Sequence, residues 1–212
     1  MKVKTFVLGP IQTSCYVVSN DNCEAIIIDV GGDPAEMVKY IKQHKLNPLY
    51  LVNTHGHIDH ILGNPQIKEA FPQIKICIHP DDAPMFKESK YNLACELGFE
   101  FSSPAPDKLL NEGDTILLGK DKFSIIHLPG HTKGGIGIFY HPNKGGGTPI
   151  LFSGDAIFAG SIGRTDFPGS SHPDLISNIQ KKIFNLPEDT IIYPGHGPAT
   201  TVGEEKHSNP FF

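Results

Sequence analysis

Residues 54–60 read Thr54-His55-Gly56-His57-Ile58-Asp59-His60, directly after the apolar run ending at Val52 and just ahead of a helical pattern. Four candidate metal ligands, His55, His57, Asp59 and His60, share this short stretch. At an extended strand end, residues two apart point the same way, so His55 and His57 converge on one ion. Asp59 and His60, past the turn into the helix, face a second. As a merely structural loop the cluster is a poor choice, because protonated imidazoles repel and neutral ones gain little from crowding. The spacing therefore predicts two adjacent metal sites.

Four donors do not complete two sites, so others are expected at further strand ends. Three segments offer them: Leu128-Pro129-Gly130-His131-Thr132, Phe152-Ser153-Gly154-Asp155 and Tyr193-Pro194-Gly195-His196-Gly197. Each follows an apolar run and involves glycine. The two Pro-Gly-His segments echo one another, Ile125-Ile126-His127-Leu128-Pro129-Gly130-His131 beside Ile191-Ile192-Tyr193-Pro194-Gly195-His196, which predicts two similar halves delivering ligands to a shared edge.

Composition narrows the class. Histidine is abundant, 11 in 212 residues and not as a terminal tag, which directs attention to the motifs above. With 39% hydrophobic and 19% charged residues the chain is a folded globule rather than a disordered one. The 22 Gly and 18 Pro argue against a coiled coil or helical bundle. A net charge of −5 without a basic stripe excludes nucleic acid as a partner. No run approaches the roughly 18 apolar residues of a membrane span, and Met1 to Val7 lacks a signal-peptide core, so no membrane association and a cytoplasmic location are expected. Cys15, Cys23, Cys77 and Cys95 form neither a CxxC pair nor a dense scaffold and read as reduced, mostly buried thiols.

Short apolar runs bounded by turn residues read as strands: Thr5–Leu8, Cys15–Val18, Ala25–Ile28, Leu49–Val52, Ile74–Ile78, Phe123–Ile126, Ile136–Tyr140, Ile150–Phe152 and Ile191–Tyr193. A helix over 34–45 is marked by Asp33 as N-cap, Pro34 as first helical residue, Glu36 three positions after the cap, and Met37, Val38 and Ile41 on its apolar face. Leu175, Ile176, Ile179, Ile183 and Phe184 mark another over 173–184, and a third begins around Ile58 to Leu62 and runs to Phe71. Asn143 to Gly147 reads as a hairpin tip and not a phosphate loop, since the GxxxxGK[ST] pattern is missing. Mixed sheets covered by helices make a layered α/β protein, one domain over 1–212.

THGHIDH followed in order by PGHT, SGD and PGHG resembles the metallo-β-lactamase fold superfamily over nearly the whole chain. That resemblance implies a four-layer αββα sandwich of two mixed β-sheets flanked by helices. The Gly160-Ser161-Ile162-Gly163-Arg164-Thr165-Asp166-Phe167 stretch and the ending His207-Ser208-Asn209-Pro210-Phe211 are similar to the glyoxalase II group. Carried onto these residues, the resemblance implies one zinc held by His55, His57 and His131, a second by Asp59, His60 and His196, and Asp155 bridging both; iron or manganese would also suit. True β-lactamases of the fold generally lack that bridge. The shared carboxylate would keep two dications at the roughly 3.5–4 Å of two-metal chemistry.

The implied reaction is attack of a metal-bridging hydroxide on a small-molecule thioester, S-lactoylglutathione or a related hydroxyacyl thioester, with Asp59 orienting that hydroxide or accepting its proton and Asp155 completing the catalytic pair. A thiolate leaves without much proton donation whereas an amine needs an acid, which favours a thioester. No separate C-terminal glutathione-binding domain is expected. Where that group has Gly-Lys-Phe-Tyr against glutathione, this chain has Gly163-Arg164-Thr165-Asp166. Arg164 engages a substrate carboxylate or is tied to Asp166, which itself would repel one. Persulfide dioxygenases share GRTDF and bind one iron; their ligands would correspond to His55, His131 and Asp155, which makes that activity the alternative. Asp29, ending an apolar run, either orients a ligand histidine or serves the turn before the helix, and His127 either reaches the site's surroundings or packs at a strand end.

Overall fold

The computed structural model of the chain describes residues 1–142 and 147–212. Two compact units divide it, Met1–Leu110 and Asn111–Phe212. Among the described residues each holds one six-stranded mixed sheet.

In the first unit β1 (Lys2–Leu8), β2 (Thr13–Ser19), β3 (Glu24–Ile28), β4 (Asn47–Val52), β5 (Lys75–Ile78) and β6 (Lys108–Leu109) lie across the sheet in chain order. The first three pair antiparallel and the rest parallel. Parallel neighbours need crossovers, and these carry the helices: α1 (Ala35–Gln43) after β3, α2 (Ile58–Ile61) and α3 (Asn64–Ala70) after β4. Asp33 does serve the start of α1, its Oδ1 accepting from Ala35 N at 3.0 Å, although Pro34 rather than Asp33 occupies the cap position. Where one helix is expected to begin around Ile58 to Leu62 and run to Phe71, there are two. Pro65 has no N–H to donate and its ring collides with the preceding turn, so the chain breaks at Gly63 and restarts with Pro65 in the first turn of α3. Cys15, Val17, Ala25, Ile27, Leu51, Ile76 and Ile78 of the sheet are buried with Met37, Ile41, Ile58, Ile61 and Ile67 of the helices. Full burial of one such aliphatic side chain is worth about 1.5–3 kcal/mol.

The second unit contains β7 (Thr115–Leu118), β8 (Asp121–His127), β9 (Ile136–Tyr140), β10 (Ile150–Gly154), the small hairpin β11 (Ile157–Phe158) and β12 (Ser161–Ile162), α4 (His172–Asn178), β13 (Ile191–Pro194), β14 (Thr200–Thr201) and α5 (Val202–Ser208). Its sheet runs β14-β13-β10-β9-β8-β7, antiparallel throughout except β10 with β13. β9 and β10 pair antiparallel as expected; most of the hairpin tip read between them, residues 143–146, lies outside the described residues. The helix expected over 173–184 starts at His172, with the Ser171 hydroxyl accepting from Asp174 N, and after Asn178 continues as one π-helical turn, Ile179–Ile183. Leu175, Ile179 and Ile183 are fully buried with Leu128, Leu151 and Ile192.

One buried carboxylate organises the end of this unit. Glu205 on α5 accepts from Gly160 N at 2.9 Å, Thr200 Oγ1 at 2.6 Å and Asn209 Nδ2 at 2.7 Å, while the same Asn209 amide donates to Ser161 O at 3.0 Å. The tip of the β11–β12 hairpin is thereby tied to α5. Among the described residues no helix is long and apolar enough to cross a membrane. Cys15 and Cys77 are buried, whereas Cys23, in a bend, and Cys95, in the 3-10 turn Ala94–Leu97, are exposed.

Candidate metal centre

In the first unit β3 and β4 end side by side, and the chemistry sits on the segments just past their ends. After β3 the backbone turns at Asp29, which adopts φ 54, a left-handed conformation that Asp tolerates better than most residues. After β4, Thr54 to His57 lead into α2, whose four residues include Asp59 and His60. Asp29 is buried and bonded on both oxygens: Oδ1 accepts from Thr54 N at 2.8 Å, and Oδ2 from Thr54 Oγ1 at 2.7 Å. His60 Nδ1 lies 2.9 Å from the same Oδ2. His55 Nδ1 lies 3.1 Å from Thr54 Oγ1. Of the two roles open to Asp29, the histidine-orienting one is therefore realised.

These contacts bring all four donors of the heptad together. The His55 ring centroid is 4.8 Å from that of His57 and 4.1 Å from that of His60. Asp59 Oδ2 is 3.5 Å from His60 Nε2 and 3.3 Å from Thr13 Oγ1. The loop is fixed from outside as well. Asp82, buried, accepts from Gly56 N at 3.1 Å; Asn53 Nδ2 donates to His60 O at 3.0 Å; Asn92 O accepts from Ile58 N at 2.8 Å. Gly31 admits no side chain, since a Cβ there would fall on the Asp59 carbonyl oxygen. Sequence reasoning missed Asp82, Asn53, Asn92 and Thr13, which carry no motif; the Gly31-Gly32 pair was the one local signal of a close approach.

In the second unit three strand ends supply His131, Asp155 and His196. Asp155 Oδ2 lies 3.6 Å from His131 Nε2 and 3.6 Å from His196 Nε2, so one carboxylate oxygen faces both imidazoles. A register shift between Phe152 and Gly154 in the β10–β13 pairing re-aims the chain as it reaches Asp155. His131 follows Gly130, whose φ of 144 and packing against the Leu175 backbone leave no room for a Cβ. His131 Nδ1 donates to the main-chain oxygen of Arg164 at 2.8 Å, which directs Nε2 toward Asp155. Phe158 meets the His196 ring edge-on at 6.0 Å.

Arg164 and Asp166 pair with each other. Nε and Nη2 fork onto the two carboxylate oxygens at 3.0 and 2.8 Å, and the guanidinium lies 4.4 Å from the centre of the Phe167 ring. The arginine hydrogen bond holds the Asp166 carboxyl below the usual carboxylate range. Both side chains are exposed. His127 is engaged at its strand end, Nε2 to Lys133 O at 2.9 Å, and His79 closes β5 with Nδ1 accepting from Asp81 N at 3.2 Å.

The donor set fits borderline divalent cations such as zinc or iron, because imidazole nitrogens and carboxylate oxygens predominate. Each half offers both kinds. The thiol beside the first half does not compete: burial pushes Cys15 up to about 12, so it stays protonated at neutral pH, accepting from Gly31 N at 3.2 Å.

Comparison with known proteins gives one consistent answer. Residues 8–196 match the family model described as the metallo-beta-lactamase superfamily. The chain is 38% identical to hydroxyacylglutathione hydrolase GloC of Haemophilus influenzae, over 100% of this chain and 98% of that protein. Among solved structures it is similar to BLEG-1 B3 metallo-beta-lactamase, with 39% identity, a TM-score of 0.91 and 99% of each chain covered. It is also similar to TTHA1623 in a di-iron-bound form, with 33% identity, a TM-score of 0.85, and 99% and 100% coverage.

Proposed function

The chain belongs to the metallo-β-lactamase superfamily, and from that premise we propose that it is a metal-dependent hydrolase cleaving a small-molecule thioester, S-lactoylglutathione or a related hydroxyacyl thioester, in the cytoplasm. The observation that carries the reading is Asp155: a single oxygen at 3.6 Å from two histidine nitrogens suits a bridging ligand. In the proposed centre His55, His57 and His131 would hold one ion and Asp59, His60 and His196 the other, with Asp155 available to both. Zinc is the expected metal, with iron or manganese as substitutes; the di-iron form of the similar TTHA1623 supports iron as one of them.

Bound at these donors, two divalent ions would supply a hydroxide at neutral pH and polarise a carbonyl oxygen. The residues of the chain do the rest. Asp59, held by the Thr13 hydroxyl at 3.3 Å, orients the nucleophile's proton and is placed to accept it. Asp155 holds the spacing of the two positions. Arg164, held over the Phe167 ring and half-neutralised by Asp166, meets a substrate carboxylate with its remaining N–H groups. The thiolate leaves as the anion, so none of these groups has to act as an acid. Similarity to GloC supports the thioester.

A second reading, opening of a β-lactam ring at the same donors, is favoured by the similarity to BLEG-1. The decisive experiment is elemental analysis of the chain purified without a metal-affinity tag, paired with S-lactoylglutathione hydrolysis, β-lactam hydrolysis, and oxygen uptake on glutathione persulfide. Two divalent ions per chain with thioester turnover are expected. Lactam turnover exceeding thioester turnover would move the reading to ring opening, and one iron per chain with oxygen uptake would replace it by persulfide oxidation.

A further inference from the structure

The hydrogen bonds behind the heptad have a direction that fixes which nitrogen each histidine offers. An ionised carboxylate only accepts. At 2.7 Å from Asp29 Oδ2, the Thr54 hydroxyl has committed its one proton to that oxygen. What Thr54 Oγ1 turns toward His55 Nδ1, 3.1 Å away, is then a lone pair, so the proton between them belongs to His55. His60 Nδ1, 2.9 Å from Asp29 Oδ2, carries its proton for the same reason. Both rings are left with the lone pair on Nε2.

We infer that Asp29 sets the tautomer of two ligand histidines at once, His60 by direct contact and His55 through the Thr54 hydroxyl, so that Thr54 and Asp29 are positioning residues of unequal reach. The inference rests on the proposed two-metal reading in taking His55 and His60 as ligands and in assigning them to different ions. Thr54 serves one of them and Asp29 both. A neutral histidine that offers the wrong nitrogen must exchange a proton before it can ligate, and loss of the partner behind a ligating histidine typically weakens metal binding about 10- to 100-fold.

The test uses the full chain loaded with zinc(II) and a competing chelator, read as two stepwise dissociation constants. Thr54→Val, which keeps the shape and removes the hydroxyl, is expected to weaken one constant about 10- to 100-fold and leave the other near wild type. Thr54→Ser restores the hydroxyl and both constants, and Asp29→Asn weakens both. If Thr54→Val weakens both ions equally or neither, or if the valine and serine variants behave alike, the relay is wrong. Long-range proton–nitrogen NMR of the metal-stripped wild type decides the same point without a variant: His55 and His60 should both carry the proton on Nδ1, and an unprotonated Nδ1 on His55 overturns the inference. A wild type that binds a single ion would defeat the two-metal reading alone, since the NMR signature does not depend on it.

Discussion

The two units solve one problem differently. In the first, four donors come from a single stretch and are held by side chains: Asp29, Thr54, Asn53, Asp82 and Thr13. In the second, three donors come from three strand ends and are held largely by backbone: the Arg164 carbonyl behind His131, the Gly130 turn, the register shift before Asp155. Where donors are local, surrounding side chains do most of the work of keeping crowded imidazoles apart, with Asn92 O and Val30 N adding main-chain bonds. Where they are dispersed, the sheet itself fixes their separation, and main-chain atoms suffice. Substitution should therefore reach the first half through its supporting side chains and the second half mainly through the donors.

The contrast is broken most forcefully at Asp155, the carboxylate proposed to bridge two ions. Asp155→Asn keeps the volume and removes the charge facing His131 and His196; hydrolysis and metal content should both fall beyond the roughly 10- to 100-fold seen for supporting residues, checked by steady-state rates and elemental analysis. A fall no larger than that of a supporting residue would mean that Asp155 does not bridge.

A middle-sized effect sharpens it from the side-chain half. Asn53→Ala removes one of the two donors to the buried His60 carbonyl, which keeps Val30 N at 2.9 Å, and leaves one buried Asn64 amide proton without its acceptor at 2.9 Å. Chemical denaturation should show a loss of about 1–3 kcal/mol. Thr165→Ala, beside the carbonyl of Arg164 in the backbone-held half, should change stability far less, because the acceptor for His131 is a main-chain atom.

The smallest effect concerns pH at the exposed fork. Arg164 lowers the Asp166 pKa, so the pair is intact above the ordinary carboxylate pKa and is lost as pH falls through the depressed one. Asp166→Asn should therefore leave the melting temperature essentially unchanged at neutral pH, since both partners are solvated. Its trace should be a lower KM for a carboxylate-bearing thioester relative to a neutral one, an effect that disappears for substrates without a carboxylate.

Legibility followed the same division. The heptad could be read because its donors are adjacent and their types are unusual together, and the other three because each ends an apolar run. Every longer run read as a strand is one; the strands missed were short, β6, β11, β12 and β14 at two residues each and β7 at four, too brief for a two-residue period to stand out. Asp82 and Asn92 were illegible because their roles depend on contacts made far along the chain, and the part played by Arg164 through its carbonyl could not be read because every residue has one. The break between α2 and α3 was written in Gly63 and Pro65.

The Glu205 knot has a consequence in the order of synthesis. Gly160 and Ser161 wait for acceptors and donors that lie 45 and 48 residues further along the chain. At about 5–20 residues per second a ribosome takes roughly 2 to 9 s to make that stretch. Until then the hairpin leading to Arg164 is present but not tied down, so the nascent second unit acquires its last strand ends before it acquires the clasp that closes them.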